Sequence, residues 1–246
     1  MAVLSAVPVS SPTQLALPGP VDGTVTQVKY ILPNIPDIVG HPSQATIEAA
    51  LKNRVLDIHS DGLFRPASLV TRQDLAWALM LNSSVRQSLG STPKFSDVSG
   101  NILNVAESVT AKGSTLRDYD FVPNGMIGFT GSMFQPFANI NRLDLAVALV
   151  RALGHDGTAR GLAGSTVTSG GVALSDNSQI PTALRGYVQL AIDKGIFEAF
   201  PAEVRQIAPG QFIVIPGPRF EPAANLNRAD FAGRLNTYRG LFATGG

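Results

Sequence analysis

A thirteen-residue pattern occurs three times in this chain, and a recurrence of that kind limits the fold more than any single residue does. It reads Phe-x-Pro, three further residues, an aliphatic residue, Thr or Asn, Arg, any residue, Asp, a large apolar residue and Ala. The first copy runs from Phe64 and Pro66 through Val70, Thr71, Arg72, Asp74 and Leu75 to Ala76. The second holds Phe134, Pro136, Ile140, Asn141, Arg142, Asp144, Leu145 and Ala146, and the third Phe220, Pro222, Leu226, Asn227, Arg228, Asp230, Phe231 and Ala232. A recurring unit points to an array that packs together and holds something between its members, rather than to one active site.

Each copy is written as a helix start. Thr71, Asn141 and Asn227 are N-cap residues whose side-chain oxygens accept from first-turn N–H groups, a device contributing about 1 kcal/mol. Asp74, Asp144 and Asp230 follow at the capping-box position, with Asp in place of the usual Glu. Val70, Ile140 and Leu226 precede the caps, and Leu75, Leu145 and Phe231 follow, giving three hydrophobic staples. The upstream prolines hold the approach extended and keep the helix from starting early.

The arginines fit this frame poorly. Arg72, Arg142 and Arg228 take the first helical position, where the macrodipole disfavours a cation. Two uses would justify them. The guanidinium can brace a loop by bonding a carbonyl or carboxylate of its own unit, or it can face outward and clamp an anion with its planar fork. Spacing alone leaves both open.

Around the three patterns the chain divides into an N-terminal arm (1–33), a first unit (34–90), a second (91–156), a Gly-rich linker (157–173) and a third unit (174–242). The arm contains one expected strand within Val21–Leu32. The first unit begins near Pro36-Asp37 and has a front helix with Ile47, Ala50, Leu51 and Val55 on one face, and a back helix with Leu75, Trp77 and Leu79. The second opens at Phe95-Ser96-Asp97-Val98, with Val105, Ala106 and Val109 in front and Leu145, Ala148 and Leu149 behind. The third opens at Leu174-Ser175-Asp176, with Leu184, Val188, Ala191 and Ile192 in front and Phe231, Leu235 and Tyr238 behind. Extra residues separate the helices in the last two units, and Met126–Phe134 and Gln211–Pro216 read as short strands or hairpin arms. A two-helix unit cannot bury its own apolar face, so the expected fold is mainly α: three helix-loop-helix units in a pseudo-threefold bundle, with short β arms inserted in the second and third.

Composition narrows the function. A chain of 246 residues that is 44% hydrophobic can bury a sizeable core, and its net charge of +1 gives no electrostatic case for nucleic acid. There is no cysteine, which removes disulfides and thiolate metal sites, and no apolar run approaches the roughly 20 residues of a membrane span. The three histidines, His41, His59 and His155, lack metal-ligand spacing. His59-Ser60-Asp61 has the residue types of a catalytic triad, but three consecutive residues cannot adopt its geometry, and no nucleophile elbow or phosphate-cradling loop occurs. The chain therefore reads as non-enzymatic, with no cofactor and no metal. Trp77, Tyr119 and Tyr187 could stack on sugars, but their spacing among aliphatic residues suits a core.

These residues resemble the S-layer homology family. The family's Phe-Ser-Asp-Val-like opening is matched at Phe95–Val98, its Lys-Gly-Ile helix end at Lys194–Ile196, and its Asp-Gly-x-Phe-x-Pro turn at Asp61–Pro66. Its Ile-Thr-Arg-Ala-Glu segment is matched by Val70–Asp74, Ile140–Asp144 and Leu226–Asp230. The resemblance implies three tandem repeats with inter-repeat grooves that bind secondary cell-wall polysaccharide, often pyruvylated, or another peptidoglycan-linked glycan. It also implies an extracellular, cell-wall location as a segment of a longer exported protein. Carried over, Arg72, Arg142 and Arg228 become ligand contacts, with Asp61 and Gly62 in the adjoining loop.

The sequence departs from the family pattern as well. Only the first unit keeps the Asp-Gly turn; the second has Asp118-Tyr119-Asp120 and the third Pro201-Ala202-Glu203. Arg54 stands where Gly ends the other front helices. These departures imply fewer than three working grooves. They also leave room for an alternative, an assembly module of a larger secreted protein that contacts its parent or another copy of itself without binding glycan.

Overall fold

The computed structural model describes residues 3–5, 29–88, 93–112 and 125–244. In chain order these form β1 (Val3–Ser5), β2 (Lys29–Ile31), α1 (Gln44–Lys52), α2 (Arg72–Asn82), α3 (Gly100–Thr110), α4 (Arg142–Ala152), α5 (Asp156–Gly161), β3 (Thr168–Ser169), β4 (Val172–Ala173), α6 (Arg185–Asp193), β5 (Glu203–Ala208), β6 (Gln211–Ile215) and α7 (Arg228–Thr244). The strands pair as β1–β2, β3–β4 and β5–β6, each antiparallel. The fold is thus mixed α/β rather than mainly α. The extra strands are short two-stranded ribbons whose partners satisfy one another's backbone groups.

Front and back helices pack as adjacent layers, with α1 against α7, α2 against α3 and α4 against α6. The apolar faces anticipated for them meet in one core: Ile47, Ala50, Leu51, Leu75, Leu79, Val105, Ala106, Val109, Leu145, Leu149, Val188, Ala191, Phe231, Leu235 and Tyr238 are all buried. Trp77, Leu184 and Ile192 pack half-buried at its edge, and Tyr187 lies inside it. Tyr119 and Gly113 lie outside the described residues.

The helix starts follow the capping chemistry. Asp74 N–H donates to Thr71 Oγ1 at 3.3 Å while Thr71 N–H donates to Asp74 Oδ2 at 2.9 Å. Asn141 and Asp144 exchange the same pair of bonds at 2.8 and 3.1 Å. At α7, Asp230 N–H donates to Asn227 Oδ1 at 2.8 Å. Two front helices end in a left-handed residue: Gly195 after α6 has φ 68°, and after α1 the same role falls to Arg54, φ 56°.

Three stretches differ from the sequence reading. The expected strand in the arm is β2, confined to Lys29–Ile31, and its partner is the arm's own Val3–Ser5; Val21–Val28 lies outside the described residues. Met126–Phe134 forms turns with a single Thr130–Met133 bridge rather than a strand. The Gly-rich stretch expected as a linker contains α5 and β3–β4, with Ala159 and Val167 fully buried. Gly186 makes this packing possible, because a Cβ there would stand 1.9 Å from the Ala159 carbonyl oxygen.

Candidate functional site

The first N–H groups of a helix have no partner within it. In α2, α4 and α7 they are met by loops far along the chain. Arg72 N–H donates to Ala138 O, Arg142 N–H to Ala224 O and Arg228 N–H to Ser68 O, each at 2.9 Å. One residue on, Gln73, Leu143 and Ala229 donate to the carbonyls of Pro136, Pro222 and Pro66 at 2.9, 3.1 and 3.0 Å. The residues before the caps also bond one another: Val70 N–H to Leu226 O, Leu226 N–H to Ile140 O and Ile140 N–H to Val70 O.

The arginine side chains extend this belt. Arg72 Nε donates to Phe134 O at 2.7 Å and its Nη2 to Gly128 O at 2.8 Å. Arg142 makes the same two bonds to Phe220 O and Glu198 O at 2.7 and 3.1 Å, and Arg228 to Phe64 O and Asp57 O, both at 2.8 Å. Each guanidinium also lies over the phenylalanine whose carbonyl it holds, 5.0 Å from the Phe134 centroid, 4.9 Å from Phe220 and 4.8 Å from Phe64. The cation is tolerated at the first helical position because its side chain leaves the helix for carbonyl dipoles and a ring face. The brace anticipated within one unit instead spans two.

The phenylalanine turns are fixed by a residue type that sequence reasoning treated only as part of each unit's opening. Phe64 and Arg65 N–H donate to the two Asp37 carboxylate oxygens at 3.0 and 2.6 Å. Phe134 and Gln135 bond Asp97 in the same way at 2.8 and 2.6 Å. Phe220 and Glu221 bond Asp176, the closest contact being 2.6 Å. The second residue of each turn is left-handed (Arg65 φ 58°, Gln135 φ 58°, Glu221 φ 56°), which turns two successive N–H groups toward one anion. At Asp97 desolvation pushes the pKa up, but the Phe134 and Gln135 N–H groups outweigh it, with help from Arg72, and hold it below the usual carboxylate value.

The arginines differ in exposure. Arg142 and Arg228 are 4% and 6% exposed, whereas Arg72 is half-buried. Burial pulls all three below the usual arginine value; at Arg142, where the Arg234 charge adds to the effect, the pKa falls to about 10. Arg142 is also enclosed by Phe197 and Phe200, at 4.8 and 4.4 Å. Arg72 lines an open groove of about 460 Å³ together with Met126, Phe129, Met133, Asp144 and Arg151. Arg151 is held there by Asp156 at 3.2 Å and by the Gly125 carbonyl at 3.3 Å.

Of the five residues singled out from sequence, Arg72 alone lines this groove. Asp61 and Gly62 sit in the loop that Arg228 grips and are not among the residues lining the groove beside Arg72. There Gly62 has φ 82°, and Asp61 caps Leu63 N–H at 3.2 Å and pairs with Arg65 at 2.6 Å. The groove residues Arg151, Met126 and Met133 carried no motif signal, since their convergence depends on tertiary packing.

Among the described residues no helix is long and apolar enough to cross a membrane. No curated protein matches the chain. The sequence model of the S-layer homology domain matches residues 34–76. That stretch runs from the Asp37 turn anchor through α1 and the Asp61-Gly62 loop to the braced start of α2. Residues 34–76 of this chain are thus similar in sequence to the S-layer homology domain.

Proposed function

We propose that this chain is a non-covalent anchoring module that holds an anionic cell-wall polysaccharide, such as a pyruvylated one, in the groove beside Arg72. In this reading residues 34–90, 91–156 and 174–242 are three repeats about a pseudo-threefold axis. The arginine contacts, passing from each helix start to the next loop and back to the first, support that arrangement. The module works at the cell surface, as part of an exported protein.

One observation carries the choice of groove: Arg72 stands on an open wall while Arg142 and Arg228 are covered. Carbonyls occupy two of its N–H groups, and a guanidinium has five, so the rest suit a sugar carboxylate. Arg151, ion-paired with Asp156, adds a second guanidinium, and Phe129 and Met133 give apolar surface for a ring face. Asp61, Gly62, Arg142 and Arg228 then act on binding through the shape of the bundle.

Sedimentation with purified wall sacculi tests this. The chain is expected to pellet with native sacculi and to stay in solution once the wall polysaccharide is extracted. Arg72→Ala is expected to weaken pelleting about tenfold or more while the fold is kept, and Arg72→Lys to recover it only in part, because the planar fork is lost. Pelleting that survives polysaccharide extraction, or that Arg72→Ala leaves unchanged, rejects the reading.

A further inference from the structure

Among the described residues eleven large hydrophobic side chains are exposed, and five of them, Val204, Ile207, Phe212, Ile213 and Val214, belong to the β5–β6 hairpin. Such crowding in so short a segment marks a contact surface. The hairpin is well formed. Pro209 and Gly210 make its turn, with Gly210 at φ 75°, the residue order of a type II turn. Its base is fastened to the body: Arg219 bonds Glu203 at 3.2 Å and Glu221 at 2.6 Å, and Phe200 and Arg219 exchange backbone bonds at 2.8 and 2.9 Å. Beyond that base both faces are largely exposed.

The register sorts the side chains. Val204 pairs with Val214 and Gln206 with Phe212, which makes one face uncharged and mostly apolar. Glu203 pairs with Ile215 and Arg205 with Ile213 on the other face, where Glu203 and Arg205 form an ion pair. The two edges differ too. β5 carries both charges and a bulge between Gln206 and Ala208, which are common means of protecting an edge. β6, Gln-Phe-Ile-Val-Ile, has neither charge nor bulge, and among the described residues its outer edge has no backbone partner.

We propose that β6 is a pairing edge for a second copy of this chain, joined antiparallel about a twofold axis at Ile213. The sequence of β6 is complementary to itself in that register. Phe212 falls opposite Val214 of the other copy and Val214 opposite its Phe212, on the apolar face. Gln211 falls opposite Ile215, and Ile213 opposite itself. No charge meets a like charge, because Glu203 and Arg205 stay on the outer strands. Pairing turns a two-stranded hairpin, marginal alone, into a four-stranded sheet with one continuous apolar face. A five-residue edge buries less than the roughly 1,000 Å² of a permanent interface, so the dimer is weak and concentration-dependent. Several copies anchored side by side on one surface would favour it.

Sedimentation equilibrium of the purified chain, without wall material, tests this independently of glycan binding. A monomer–dimer equilibrium in the micromolar to millimolar range is expected. Ile213→Lys and Ile213→Glu, each placing like charges opposite one another at the axis, are each expected to raise the dimer Kd roughly tenfold or more. An equimolar mixture of the two is expected to restore association. If the Lys variant loses its hairpin, the Glu variant, which faces Arg205 of its own hairpin, carries the comparison. A wild-type chain that stays monomeric throughout overturns the proposal, including one that binds phosphatidylglycerol vesicles as a monomer. So do single variants that associate like wild type, or a mixture that does not recover.

Discussion

Arg228 Nε donates to the carbonyl oxygen of Phe64 at 2.8 Å, although 164 residues separate them in sequence. With Asp57 O also bound at 2.8 Å, one side chain of the last helix fixes both ends of the loop that follows α1. Arg142 does the same for the segment between Glu198 and Phe220. Truncating either arginine strands a buried phenylalanine carbonyl, at about 1–3 kcal/mol, and removes a charge-assisted bond to a second, partly covered carbonyl, at about 1.5–3 kcal/mol. Arg142→Ala and Arg228→Ala are therefore expected to lose about 3 kcal/mol or more by chemical denaturation. Arg72→Ala, whose site opens to solvent, is expected to lose clearly less. Equal losses at all three positions would contradict the difference in burial.

Acid should act through Asp97, which anchors the Phe134 turn. The Asp97 pKa is held below its ordinary 3.8 in the fold. A depressed carboxylate contributes stability that is present above the unfolded value and disappears as the pH falls through the folded one. Stability is thus expected to drop below about pH 4. Asp97→Asn should cost stability at neutral pH, because the amide cannot accept from both turn N–H groups through two carboxylate oxygens, and its deficit should shrink toward pH 2. Urea denaturation at a series of pH values measures both limbs.

Gly186 tests the packing of α5. A Cβ at this position would meet Ala159 O at 1.9 Å and Ala159 C at 2.8 Å, both backbone atoms that cannot rotate away. Gly186→Ala is expected to cost about 2–3 kcal/mol. Hydrogen exchange should rise first in 156–161, because that helix must move to admit the methyl group.

Arg54 offers a gain in stability. It holds φ 56° at the end of α1, with its N–H bonded to Leu51 O at 3.1 Å, and Gly195 stands at the matching place after α6. A left-handed L-residue costs roughly 1–2 kcal/mol, partly offset in glycine by the greater freedom of its unfolded chain. Arg54→Gly is expected to stabilise the protein by up to about 1 kcal/mol, visible as a higher Tm.

Local chemistry was what the sequence made legible. Thr71 with Asp74 and Asn141 with Asp144 encode their capping bonds within four residues, and the apolar faces of α1, α3 and α6 follow from spacing alone. The arginines were conspicuous at helix starts, but their partners are backbone carbonyls from 56 to 171 residues away, and no residue type advertises a carbonyl. Asp37, Asp97 and Asp176 marked the openings of units without showing that each carboxylate holds a distant turn. The glycines between 157 and 171 suggested flexibility. Gly170 and Gly171, at φ 57° and 81°, instead turn β3 into β4, and the apolar residues that fix this stretch are only Ala159 and Val167. For β6 the apolar run was visible, but its partner β5 carries Glu203 and Arg205 and has no strand-like alternation.

The grip of Arg228 on residues 57 and 64 also has a consequence for biosynthesis. The loop after α1 leaves the ribosome well before α7, which carries its final hydrogen-bonding partner. Until α7 has been translated, Asp57, Phe64 and Ser68 have to leave to water the carbonyls that the last helix will claim, and Val70 lacks the Leu226 oxygen. Residues 57–70 therefore cannot complete their hydrogen bonding as an independent folding step. Their maturation waits for α7, and a product stopped before Arg228 presents to proteases and chaperones a loop without the bonds that fix it in the folded protein.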